Sequence, residues 1–409
     1  VGAIAAAGAA MLGLAGAFTV DAVGVATSLE SAFAGVVKTT DGLTSEIGVL
    51  NDAGKELKDG FKALSEQIPI TPEQLMRIGE LGGQLGIEKD NLLDFTETIA
   101  GIGVSTDLST EEASMAFARM MNIMGTAQGD VERIGSAVVD LGNNFATTEP
   151  DIMNFALRIA GAGQIAGLTE ADVLAIGAAM SSEGVEAEAG GTAVQKVLLA
   201  MNTAVVTNSD QLETYAATAG MSAAEFATAW ETDAAAAFAA FVEGLGTQGD
   251  EAIFTLEELE LKDQRLVRAF LSLAGSGDIL TDSLALSNDA WAENTALADE
   301  AAQFYATSES KMAIFRNSIT NLKDDIVSAF LPVLGDMLGM LGELVDQYAP
   351  LVVSWFEERI APAVETLVGA FGDLLAGDVE GFLEGVQGAL ANLVGPEVAE
   401  QVFEVVEAV

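Results

Sequence analysis

Cysteine and histidine are both missing from the 409 residues. Without cysteine no disulfide can hold the fold, and thiol usage says nothing of the redox compartment. Without either residue, serine–histidine–aspartate and cysteine–histidine catalysis are excluded, and a zinc site would need an all-carboxylate shell. Lysine and arginine are scarce as well: 17 of them face 62 acidic residues, for a formal charge of −45. Sequence-independent affinity for nucleic acid comes from cations that displace phosphate counterions, so direct nucleic-acid binding is not expected, and an anionic bilayer surface would be repelled. Charged residues are only 19% of the chain, so the acidity is a shortage of cations, suited to a soluble acidic surface or to adaptation to salt. Carboxylate pairs for glycoside cleavage are available, as in any acidic protein, but three Trp and three Tyr furnish no aromatic sugar cleft and nothing singles out a pair. The glycine-rich turns lack the lysine of a phosphate-binding loop. No enzymatic activity, cofactor or metal is expected.

Proline is rare too, with seven in all and none between Pro150 and Pro332. Ala, Leu and Glu are plentiful in that span and β-branched alternation is scarce, so the fold class is all-α. Half of the residues are apolar, enough for a sizeable core. Helix starts are marked by Ser or Thr followed three residues later by Glu, Asp or Gln, a pairing that satisfies free amide groups from both sides. Thr71 with Gln74, Ser109 with Glu112, Thr148 with Asp151, Thr169 with Asp172 and Ser222 with Glu225 have this spacing. Pro72 follows Thr71 at the first helical position, where a missing N–H costs little. The glycine clusters Gly82-Gly83, Gly101 to Gly103, Gly161 to Gly163 and Gly190-Gly191 are expected at helix ends.

An internal repeat relates residues 81–112 to residues 141–172, with eight of the 32 aligned positions identical. Leu81, Gly82, Phe95, Ile99, Ala100, Gly101, Gly103 and Leu108 fall on Leu141, Gly142, Phe155, Ile159, Ala160, Gly161, Gly163 and Leu168. A duplicated helix-turn-helix unit is the simplest explanation. The expected organisation is an Ala/Gly-rich apolar arm over residues 1–39, a compact multi-helix core over 40–277, and longer amphipathic helices over 278–409. The chain begins at Val1 rather than Met and stops at Val409 within an apolar stretch, and it reads as a fragment of something longer.

Two strings carry a family likeness: LGGQLGIEKDNLLDFTETIAGIGVSTDLSTEEA from Leu81, and SAVVDLGNNFATTEPDIMNFALRIAGAGQIAGLTEADVL from Ser136. Further blocks follow in order from Glu186, Met221, Glu258 and Asn288, and together they cover roughly Leu29 to Leu338. This series resembles the core region of the phage tail tape measure (minor tail protein) family. The resemblance implies a structural protein that lies in the tail tube lumen, sets tube length during assembly in the host cytoplasm, and leaves ahead of the genome at infection. The partners it implies are the tail tube protein, tail assembly chaperones, baseplate or tail-tip proteins, and further copies of the chain side by side. Members often carry a cell-wall-cleaving domain elsewhere in their length, and no such domain is visible here.

Three segments are candidates for function. The first twenty residues carry no charge, enough at about 1.5 Å per residue to cross a hydrocarbon core. Their Ala/Gly richness and lack of a basic flank leave open a packed helical arm, a segment entering a host membrane during genome delivery, or an anchor. Near the other end Leu331, Leu334, Leu338, Leu341, Val345, Tyr348, Val352 and Trp355 alternate spacings of three and four, the heptad period of a coiled coil. That seam suits either an intramolecular contact or a homo-oligomeric bundle, and Pro350 interrupts its last heptads. Glu183, Glu186 and Glu188 cluster beside Gly184 and Gly190 without EF-hand spacing, which favours a solvated acidic turn over a calcium or magnesium site. Gly190-Gly191 reads as a tight lead into a helix capped by Thr192. A rival to the tape measure reading is a membrane-inserting, pore-forming helical protein, and a blander third is a halophilic helical scaffold.

Overall fold

A computed structural model describes residues 24–46, 48–325, 327–328, 359, 361–375, 378–396 and 399–400. Their secondary structure is almost wholly α-helical, with one two-stranded antiparallel hairpin of β1 (Thr44–Glu46) and β2 (Val49–Leu50). The chain divides into two compact units, residues 32–317 and residues 1–31 with 318–409.

In the first unit, the part of α1 (residues 24–39) from residue 32 onward precedes the hairpin, and α2 (Asp52–Ser65), α3 (Pro72–Gln84), α4 (Leu92–Ser105), α5 (Thr110–Met124) and α6 (Val131–Asn144) follow it. Next come α7 (Glu149–Ala166), α8 (Glu170–Ser182) and α9 (Ala187–Thr207). A smaller layer comprises α10 (Gln211–Thr218), α11 (Ala223–Thr232), α12 (Ala234–Gln248), α13 (Ala252–Glu258) and α14 (Gln264–Gly275). The chain then returns through α15 (Ile279–Glu293) and α16 (Ala296–Tyr305) to pack on α4, α6 and α8, and α17 (residues 308–325) follows. The sequence draws the end of its core at Gly277, whereas this compact unit runs to Asn317.

The centre of the unit is α8. All ten residues from Ala171 to Met180 are buried, because the helix is apolar on every face and is enclosed by α6, α7, α9, α14 and α15. Its N-terminus is closed by Thr169 and Asp172, each side chain receiving the other residue's backbone N–H. Asp172 also accepts from Asn288 Nδ2 at 3.0 Å, and Ser287 Oγ donates to the Ala171 carbonyl at 2.8 Å, so α15 is hydrogen-bonded to the first turn of α8.

Reciprocal capping boxes form at Thr71/Gln74, Ser109/Glu112, Thr169/Asp172 and Ser222/Glu225. At Thr148 the hydroxyl accepts the Asp151 N–H and donates to the Asp151 carboxylate, without the return bond to the cap backbone. The capping boxes at Ser109 and Thr169 stand 60 residues apart. Phe95 and Phe155, Ile99 and Ile159, Ala100 and Ala160, and Leu108 and Leu168, at the same offset, are buried pairwise.

The glycine clusters do not mark helix ends as the sequence suggests. Gly82-Gly83, Gly101 to Gly103 and Gly161 to Gly163 lie inside the last two turns of α3, α4 and α7. There they let neighbouring groups approach: a Cβ on Gly103 would meet Thr110, and one on Gly163 would meet Val173. The stops themselves are made by glycines such as Gly125 and Gly167, whose φ values of 78° and 84° lie in the left-handed region.

The same correction applies to Gly190-Gly191-Thr192. Helix α9 starts at Ala187, so these residues lie within it, and Thr192 Oγ1 donates to the Glu188 carbonyl at 2.8 Å instead of capping. The physical reason is packing on α7, since a Cβ on Gly190 would collide with Val185 and the Phe155 ring and one on Gly191 with Arg158. Overpacking costs about 1–3 kcal/mol and outweighs the roughly 1 kcal/mol of helix propensity that alanine brings. Gly190→Ala is therefore expected to lower stability by about 1–2 kcal/mol. Gly161→Ala, where nothing stands within 4 Å of the new Cβ, should raise it by up to ~1 kcal/mol. Urea midpoints of the two variants check this contrast, and equal shifts would contradict it.

In the second unit α18 (Ala361–Leu375) and α19 (Val379–Val394) pack as a helical hairpin. Phe371 and Phe382 meet at a centroid distance of 5.7 Å, and Asn392 Nδ2 donates to Thr366 Oγ1 at 3.3 Å.

Candidate functional site

The expected oligomer seam of Leu331, Leu334, Leu338, Leu341, Val345, Tyr348, Val352 and Trp355 lies outside the described residues, as do residues 1–20. Among the described residues no helix is long and apolar enough to cross a membrane.

The acidic turn joins α8 to α9. Glu186 and Glu188 are exposed, while Glu183 is half-buried and accepts from Ser272 Oγ at 3.3 Å. Arg265 and Arg268 of α14 line the same groove, of about 550 Å³, so cations face the carboxylates. Among the described residues no group of acidic side chains is placed to hold a metal ion.

A second groove has no such compensation. It lies where α16 crosses α4 and the start of α6, has a volume of about 430 Å³, and is lined by the carboxylates Asp94, Glu97 and Glu132 beside Leu297, Ala301 and Tyr305. Sequence reasoning missed it, since its carboxylates come from helices far apart in the chain. Glycines on two helices form the socket for Leu297: a Cβ on Gly101 would touch this leucine, and one on Gly135 would collide with it. Leu297 is buried, and its backbone N–H donates to Ser136 Oγ at 3.4 Å. Partial burial and then the charges of Asp94 and Glu132 raise the Glu97 pKa. Burial, and then Glu97, pushes the Tyr305 phenol up to about 12.

The same pattern continues along this contact. Burial and the charge of Glu293 raise the Asp140 pKa. Burial raises that of Glu149, helped by Asp107 and Glu300 and opposed by backbone hydrogen bonds. Polar links also cross it: Asn294 Nδ2 donates to Glu132 at 2.9 Å, Asn143 Nδ2 to Glu300 at 3.3 Å, and Arg133 Nη1 to the Trp291 carbonyl at 2.6 Å. Such an arrangement is a field of negative charge that repels anions.

The phage-related minor tail protein family matches residues 58–299, more than half of the chain and wholly inside the 32–317 unit. The chain belongs to this family. A probable tape measure protein of Halomonas phage phiHAP-1 (isolate -/Gulf of Mexico/-/2001) is 27% identical over 124 residues, which are 30% of this chain and 14% of that protein. The chain thus aligns with a small part of that relative's length. No solved structure matches. As a minor tail family member the protein has a structural role in the phage tail and is located in the virion tail.

Proposed function

We propose that this chain is the core and flanking helices of a tape measure protein, which sets tail tube length during assembly and leaves ahead of the genome at infection. The observation that carries the reading is the family match over residues 58–299, joined by the likeness to a probable tape measure protein. A chain without His or Cys suits a structural rather than an enzymatic role. In this reading the core over 40–277, with its duplicated 81–112 and 141–172 segments, carries the family signature. The flanks over 1–39 and 278–409 carry length information and contact the tail tube protein, assembly chaperones and tail-tip proteins. The 331–355 seam joins copies of the chain along the tube.

Length information held in helix is physical, since a helix rises about 1.5 Å per residue. An in-frame deletion of helical residues from a flank, made in the phage, is expected to shorten the tail by about 1.5 Å per residue removed. Electron microscopy of purified virions measures this, and tails of wild-type length would remove the ruler role from that stretch. Tails of normal length and ordinary infectivity after deletion of the whole chain would overturn the reading itself.

A further inference from the structure

The α15–α16 contact is built from opposed forces. Apolar burial holds it: Leu297 fills the Gly101/Gly135 socket and Ala301 is buried beside it. Hydrogen bonds from Asn294, Asn143 and Arg133 add to that hold. Like charges oppose it. Asp94 and Glu97 face it from α4, Asp107 from the α4–α5 connection, Glu132 and Asp140 from α6, and Glu149 from α7; Glu293, Asp299 and Glu300 lie on the segment itself. The groove itself is lined by no lysine or arginine, and the Arg133 guanidinium that reaches the segment is shared with Asp130 at 3.1 Å. Upstream the segment is anchored, because Ser287 and Asn288 bind α8. At the junction of α15 and α16 stands Asn294, in the left-handed region at φ 54°, with its buried Oδ1 unpartnered.

We propose that the end of α15 and all of α16 form a latch on the helical unit, which closes when the facing carboxylates are protonated or screened and loosens when they are bare. The apolar socket sets the position of the closed state, and the carboxylates set how far it is populated. Carboxylates whose pKa is raised by folding bind protons more readily in the closed state, so closure is strongest towards the ordinary carboxylate range and weakens as pH rises above it. Screening by salt acts in the same direction as protonation.

Hydrogen–deuterium exchange of the full chain tests the latch, with peptides over 294–305 compared with peptides over 171–180 in α8 and corrected for intrinsic rates. At low salt the protection of 294–305 is expected to fall about two- to fivefold from about pH 5 to about pH 7.5 while α8 is unchanged, the size expected of a few partly buried like-charge contacts. Sodium chloride near 1 M should restore it. Glu97→Gln and Glu149→Gln, which keep side-chain shape, should each flatten the pH dependence at 294–305. Leu297→Ala should speed exchange there at both pH values. Protection that ignores pH and salt, or that changes in step with α8, overturns the latch, as does an unaltered pH dependence in the Glu97→Gln, Glu149→Gln double variant.

Discussion

Phe155→Ala is expected to lower the unfolding free energy by about 3–5 kcal/mol, a fifth or more of the roughly 5–15 kcal/mol that a typical domain possesses. Phe155, on α7, is fully buried, with glycines of two other helices beside it. A Cβ added to Gly190 of α9 would press on its edge, and one added to Gly177 of α8 would touch its Cβ. Truncation removes the transfer energy of the ring and leaves a cavity beneath helices whose backbones cannot fully collapse. Urea denaturation followed by circular dichroism measures the loss. A change under about 1 kcal/mol would mean that the ring is not packed as described. Phe95→Ala, at the equivalent position 60 residues earlier and equally buried, gives the comparison: similar losses are expected if the two segments are structural copies. Coupling is also expected. Gly190→Ala should cost less in the Phe155→Ala background, where one of its two obstructions is gone, and strict additivity would contradict the contact.

Asn317→Leu should destabilise the 32–317 unit by about 2–4 kcal/mol. Asn317, on α17 (residues 308–325), is 4% exposed, and its Nδ2 donates to the carbonyls of Ser65 and Ile70, each at 2.8 Å, and to that of Ile68 at 3.4 Å. These carbonyls belong to the end of α2 and the turn leading into α3, a stretch whose backbone has left the helical ladder. One amide group therefore serves several acceptors, and leucine would withdraw that donor from all of them at once. Asn317→Asp should be worse near neutral pH, since it sets a carboxylate against carbonyl oxygens. That carboxyl would have a raised pKa in the folded state, so the variant should regain stability as pH falls through it. Thermal unfolding at about pH 5 and about pH 7.5 separates the cases; an aspartate variant as stable as wild type at both would refute the contact.

The capping boxes at Thr71, Ser109, Thr169 and Ser222 were legible because a cap is local: hydroxyl, carboxyl and amide lie within four residues, and no other part of the chain decides whether they meet. Periodicity and the lack of proline likewise dictate helices. The glycines were misread for the converse reason. A glycine at a helix end and one beneath a crossing helix look alike in sequence, and only the position of Phe155 on α7 shows that Gly190 is the second kind. The groove was illegible for a related reason: Asp94, Glu97 and Glu132 are ordinary surface carboxylates of two helices until α16 arrives over them.

By itself, then, the sequence determined the helical class, the starts of the helices that carry capping boxes, and the exclusion of histidine and cysteine chemistry, all of which depend on composition or on neighbours a few residues away. Only the tertiary structure decided that α8 lies at the centre, that residues 279–305 close against α4, α6 and α8, and that their carboxylates meet. Those outcomes depend on which apolar surfaces find each other, and helix faces of similar composition do not name their partners until shape, in sockets such as Gly101 with Gly135, selects one.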